Sequence, residues 1–124
     1  VYEGDNHPGI ALCFNHIGSV YRKQGEYDNA LEYCIKSLTI RKSVFQNNPN
    51  HPDIAFSYQD IGLVYKCQGE NKMALEYFSR FIKIMKAVYG DTHHEIASCY
   101  TNIGSVYERQ GDYNQALDYL DIRL

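Results

Sequence analysis

What most constrains this 124-residue chain is that it repeats itself. The stretch IGSVYRKQGEYDNALEY, from Ile17, returns as IGLVYKCQGENKMALEY from Ile61 and as IGSVYERQGDYNQALDY from Ile103. Gly18, Gly62 and Gly104 match at spacings of 44 and 42 residues, and so do Tyr21, Tyr65 and Tyr107. Gly25, Gly69 and Gly111 match likewise, as do Ala30, Ala74 and Ala116. The lead-in stretches match too: NHPGIA from Asn6, NHPDIA from Asn50 and THHEIA from Thr92. Three units of roughly 42 residues fill the chain. Self-similarity at such a period is the mark of stacked supersecondary units.

Each unit divides into two helical patterns. Ile10, Cys13, Phe14, Ile17, Val20 and Tyr21 recur at three- and four-residue steps, which defines one helix face. The matching sets are Ile54, Tyr58, Ile61, Val64 and Tyr65, then Ile96, Cys99, Tyr100, Ile103, Val106 and Tyr107. Pro8 and Pro52 fall where a first turn loses nothing by lacking an N–H. Gly25, Gly69 and Gly111 are placed to end these helices with positive φ. A second apolar stripe follows: Ala30, Leu31, Cys34, Leu38, Arg41 and Phe45 in unit one; Ala74, Leu75, Phe78, Ile82 and Met85 in unit two. The loops QNNPNHP and YGDTHH break the pattern. Each unit thus reads as helix, tight turn, longer helix and loop.

Gly18, Gly62 and Gly104 sit mid-helix, where glycine costs about 1 kcal/mol relative to alanine. Incurring that cost three times predicts a close approach of the paired helix, with Ala30, Ala74 and Ala116 as its small residues and the tyrosines one turn on filling the wedge. One helical hairpin cannot bury both its faces, but stacked copies can. The fold class is all-α, an α–α superhelix or solenoid of helix-turn-helix units.

Composition excludes several functions. The net charge is −3, which attracts neither nucleic acid nor an anionic membrane. Residues 8–48 carry five Lys/Arg against three Asp/Glu, and residues 93–124 two against five, a mild polarity along the array. No run of eighteen apolar residues occurs. Cys13, Cys34, Cys67 and Cys99 lie 21, 33 and 32 residues apart, with no C-x-x-C pair. Free thiols in a reducing, cytoplasmic setting fit that pattern. Cys13, Ser57 and Cys99 read as a small-residue packing site, leaving Cys67 as the exposed thiol. His7, His51 and His93 are equivalent residues one repeat apart, so they read as loop-closing and helix-starting residues rather than metal ligands. No phosphate loop, paired-acid motif or dinucleotide fingerprint is present. The chain is expected to be no enzyme and to need no cofactor.

Gly-x-x-Tyr, then Gly-x-Tyr, then Ala-Leu-x-Tyr is similar to the tetratricopeptide repeat. Phe14, Tyr58 and Tyr100 match its early aromatic site, and Tyr27 and Tyr113 the aromatic after the turn, where Asn71 departs. The long unit resembles the 42-residue subtype of kinesin light chains. In unit two Phe81 stands where unit one has the small Ser37, which predicts differently built junctions. The expected layout is one array over 1–124: residues 1–6 as the tail of a preceding repeat, 7–50 as repeat 1, 51–92 as repeat 2, and 93–124 as a truncated repeat 3. VYEGDNHP at Val1 resembles VYGDTHHE at Val88, so a piece of a longer array is expected.

The resemblance implies a protein–protein interaction module that holds an extended peptide, or a helix, of a partner protein on the concave face lined by the first helices. The candidate residues lie off the packing stripe: Asn15, His16, Ser19 and Arg22; Gln59, Asp60, Leu63 and Lys66; Thr101, Asn102, Ser105 and Arg109. Amides both donate and accept, which suits a peptide backbone. Lys23 and the other cations can pair with a ligand's acidic residues. Asp60 and Glu108 oppose a strict clamp for a C-terminal carboxylate. The alternatives are an architectural or oligomerising spacer and the regulatory repeat arm of a larger multidomain enzyme. Weak self-association is expected through apolar array ends, including Leu117, Leu120 and Leu124.

Overall fold

The computed structural model describes residues 7–122. Six helices follow in order: α1 (Pro8–Lys23), α2 (Tyr27–Val44), α3 (Pro52–Gln68), α4 (Asn71–Tyr89), α5 (His94–Arg109) and α6 (Tyr113–Ile122). The pairs α1/α2, α3/α4 and α5/α6 form the hairpins, and α2 and α4 pack on the first helix of the next unit. No strand occurs among the described residues. The first residues, expected to be the tail of a preceding repeat, lie outside the described range, as does Leu124.

The caps follow the sequence. His7, His51 and His93 are the N-caps of α1, α3 and α5. Each Nδ1 accepts the backbone N–H two residues on, at 2.9 Å from Gly9, 3.0 Å from Asp53 and 3.1 Å from Glu95. That satisfies a donor the helix start would otherwise leave open. His51 also stacks on Phe45 at a ring separation of 3.6 Å, and His93 meets Tyr89 at 4.5 Å. These histidines close the loop and start the helix, as the repeat predicts. Gly25, Gly69 and Gly111 have φ of 80°, 78° and 81°, so the tight turns use the left-handed region.

The mid-helix glycines mark close approach. A Cβ at Gly18 would lie 2.7 Å from Cys34 Sγ, and one at Gly62 2.8 Å from the Phe78 ring. At Gly104 the nearest atom is in Leu120, at 3.1 Å. The occupant of the space is therefore the side chain one turn beyond the alanine, with the Ala30 and Ala116 carbonyls adding backbone contact. The tyrosines flank this contact as stacked pairs: Tyr21–Tyr33, Tyr65–Tyr77 and Tyr107–Tyr119, at 5.5–5.8 Å.

One continuous core runs from Ala30 to Val106. Its first layer departs from expectation. Ile61, Val64, Ile103 and Val106 are buried, but their counterparts Ile17 and Val20 are 38% and 55% exposed. Cys13 is exposed, whereas Ser57 and Cys99 are buried, so the packing site expected of all three holds for two, and Cys67 is only half-buried. The reason is the same throughout. α2 covers α3 and α4 covers α5, while no described helix covers that side of α1.

Candidate functional site

Between units one and two the first helices α1 and α3 touch, while α2 and α4 make at most a marginal contact. At that junction the first-helix layer is the inner, tighter side of the stack. The candidate residues sit on this layer, and the structure sorts them.

On α1, His16 is exposed and Ser19 and Arg22 are half-buried. Asn15 departs from the expected open surface. It is buried with Ala11 and Gly18, which lie at helical spacing on the same face. Its Oδ1 has no hydrogen-bond partner and is withdrawn from solvent. On α3, Gln59, Asp60, Leu63 and Lys66 are all half-buried. On α5, Asn102 and Ser105 are half-buried, and Thr101 and Arg109 are exposed. Thr101 Oγ1 donates to the Ala97 carbonyl at 3.2 Å, so that hydroxyl is engaged with its own helix.

Two contacts knit units two and three on this layer. Arg109 Nη1 donates to the Lys66 carbonyl at 2.7 Å, and Lys66 Nζ donates to Asn102 Oδ1 at 3.5 Å. Burial lowers the Lys66 pKa; Cys67 opposes that shift, and the Arg109 and Arg22 cations add to it. Arg22, Lys66 and Arg109 thus share one field from three helices. Asp60 sits among cations of the other junction. Burial pushes its carboxyl up to about 6, against the pull of Arg41, Arg22 and His16.

Sequence reasoning passed over Arg41 as a functional neighbour. It lies on α2, only 6% exposed, and Nη1 donates to the Asp53 carbonyl at 2.9 Å and to Ser57 Oγ at 3.0 Å. The signal was available: an arginine on an apolar stripe where unit two has Met85. Its guanidinium runs between repeats and its charge acts on Asp60 in the inner layer.

Cys34 and Cys99 are buried, which raises each thiol to about 12 and leaves it protonated. No group of three or more His, Cys, Asp or Glu side chains among the described residues is arranged to hold a metal. No helix among them is long and apolar enough to cross a membrane.

Three helical hairpins stacked in chain order, the second helix of each on the first helix of the next, define an α-helical repeat scaffold. The sequence profile of the tetratricopeptide repeat family matches residues 9–87 and 68–121, and the chain belongs to that family. Among solved structures it is similar to BtubC (BKLC) from P. vanneervenii, with a TM-score of 0.82 and 19% identity over 94% of this chain and 46% of that one. A putative kinesin light chain with nearly identical TPR-like repeats from Podosopora anserina gives 0.80 and 17% over 94% and 55%. The TPR domain of Arabidopsis FLU gives 0.77 and 20% over 91% and 90%. The chain spans about half the length of the BtubC and kinesin light chain structures, and these likenesses establish the fold. No curated protein sequence matches it.

Proposed function

We propose that the chain is a protein-binding module whose first-helix layer holds an extended segment, or a helix, of a partner protein. The observation that carries this reading is the composition of that layer. Gln59, Leu63, Asn102 and Ser105 are half-buried there, so they present amide, hydroxyl and apolar groups without being locked in the core. Such groups match a peptide's own donors and acceptors. The aromatic residues that would make a nucleobase platform are instead spent on stacking within hairpins.

The test is affinity capture from a cell lysate with three proteins: the natural chain, a Leu63→Glu/Ser105→Glu variant, and an outer-face Lys83→Glu control. Folding of each is checked by circular dichroism. Proteins retained by the natural chain and the control but lost with the inner-layer variant are expected. Identical capture by all three would overturn the reading.

A second reading rests on the uncovered side of α1. Leu12, Ile17 and Val20 are exposed there, and His16, Ile17, Val20, Tyr21 and Gln24 line a shallow depression. At the other end Leu117 is 57% exposed. Apolar surface of this kind favours weak end-to-end self-association. Sedimentation velocity across a concentration series is expected to show a rising weight-average mass, and a concentration-independent monomer would contradict it.

A further inference from the structure

The two repeat junctions differ in the loop that crosses them. The loop before α3 runs over seven residues, 45–51, and the loop before α5 over four, 90–93. At the longer loop a cavity of about 380 Å³ opens between the end of α2 and the first two turns of α3. Lys42, Phe45, Gln46, Pro49, Ile54 and Tyr58 line it. Ile54 is 2% exposed, and the Phe45 ring is fixed by its stack on His51. At the equivalent place of the second junction Gly90 stands for Gln46, and Tyr100 is 8% exposed where Tyr58 is half-buried. The long loop, the Gln46 side chain and the more open tyrosine are thus particular to the first junction.

The polar groups on the cavity's rim are unspent. Four cations of α2 and α4 rest on aromatic rings: Lys36, Lys42, Arg80 and Lys86. Three of them have a further partner. Lys36 pairs with Glu32 and Arg80 with Glu76, and a side-chain hydrogen bond with Tyr100 raises the Lys86 pKa. Lys42 Nζ lies 5.6 Å from the Tyr58 ring centroid and makes no hydrogen bond or ion pair with any described residue. The Gln46 carboxamide and the Tyr58 hydroxyl also bond to no described residue. An apolar floor with two rings, one unpaired ammonium and two neutral donors is the make-up of a small-molecule site, and the volume is in the usual range for one. We propose that this cavity binds a small aromatic carboxylate. Its ring lies against Phe45, Ile54 and Tyr58, and its carboxylate takes a charge-assisted hydrogen bond from Lys42 and neutral ones from Gln46 and Tyr58. None of the six lining residues is among the candidates on the first-helix layer, so the site stands or falls apart from the protein-binding reading.

The test titrates the isotope-labelled chain with benzoate, phenylacetate and indole-3-acetate, each beside its neutral carboxamide, and follows the backbone amides. At least one acid is expected to give saturable shifts at Phe45, Gln46 and Ile54. Its carboxamide twin should bind at least about threefold more weakly, the scale of one solvent-accessible charge pair. Lys42→Gln is the decisive variant, because Lys42 is exposed and bonds to nothing in the fold. It should make acid and amide bind alike and leave the thermal melt unchanged. Lys86→Gln, at the equivalent place of the second junction, should leave the preference intact. No saturable shift with any of the three acids, or shifts confined to other parts of the chain, would overturn the site. Equal binding of acid and amide by the natural chain, or a preference that survives Lys42→Gln, would overturn the carboxylate assignment.

Discussion

The two junctions between repeats occupy equivalent places and are made of different matter. Between units one and two, Ser37, Arg41 and Ser57 are buried, with Ser37 Oγ 3.4 Å from Ser57 Oγ and Arg41 bonded to Ser57. Between units two and three the same places hold Phe81, Met85 and Cys99, all fully buried. Phe81 also packs on Phe56 of its own hairpin at a ring separation of 5.7 Å, and across the junction the Cys99 thiol donates only weakly to the Phe78 carbonyl at 3.7 Å. The polar junction keeps its groups satisfied by directional bonds; the apolar one relies on area and shape. One fold therefore tolerates either chemistry at its repeat boundary. What it does not tolerate is half of each, because a buried polar group without its partner costs far more than a made bond returns.

Mutations sharpen this contrast. The largest effect is expected at the apolar junction, where Phe81→Ala should cost about 3–5 kcal/mol through lost transfer energy and a cavity. At the polar junction Arg41→Ala should cost about 2–3 kcal/mol, because Ser57 and the Asp53 carbonyl lose a charged donor. Arg41→Met with Ser57→Cys and Ser37→Ala, which strips the seam of its buried polar side chains, should fall within about 1 kcal/mol of the natural chain. Urea denaturation followed by circular dichroism checks all three. A triple variant as damaged as Arg41→Ala would show that the polar seam is required rather than interchangeable.

Within the hairpins the comparison continues at smaller scale. Gly62→Ala would bring its Cβ to 2.8 Å from the Phe78 ring, a fully buried side chain with little room to yield. The overpacking outweighs the gain in helix propensity, for a net loss of about 1 kcal/mol. Gly104→Ala meets Leu120 at 3.1 Å, in a side chain that is only half-buried and can shift, so a change near zero is expected. Equal losses at both positions, measured by thermal melts, would mean that the helix spacing and not the facing side chain sets the tolerance.

The polar junction should also show a pH dependence that the apolar one lacks. Asp60 titrates near 6 in the fold against a usual value of 3.8, so the folded chain holds its proton more tightly than the unfolded one. The corresponding stability is present in full below 3.8 and is lost as pH rises through about 6. The stability of the natural chain minus that of Asp60→Asn should therefore grow as pH falls from 7 to 4. A difference that stays constant over that range would contradict the environment described for Asp60. Its counterpart Asn102 carries no charge, so Asn102→Ala should show no such pH trend.

Much of the architecture was legible because it is written three times. The glycine spacings located the tight turns and the close contacts, and the histidine spacing located the N-caps. Periodicity assigns a face to each helix, but it does not say whether a neighbour is there to cover it. Ile17, Val20 and Cys13 match buried residues in later units and are themselves exposed for that reason. Asn15 was misplaced because an amide reads as solvent-facing, while its spacing from Ala11 and Gly18 puts it inside. Arg41 was placed on the right stripe, but its partners lie 12 and 16 residues away, across a loop whose path the sequence does not give. Which inner-layer side chains converge depends on the same unseen geometry: the Arg109 bond to Lys66 spans 43 residues.

The most direct test of the central claim, that the first-helix layer is the binding surface, is to map a library-selected peptide on the isotope-labelled chain by amide chemical-shift perturbation. The account predicts the largest shifts around Gln59, Leu63, Lys66, Asn102 and Ser105, with α2 and α4 outer residues such as Ile35 and Lys83 unmoved. Shifts concentrated on α2 and α4, with the first helices silent, would contradict it.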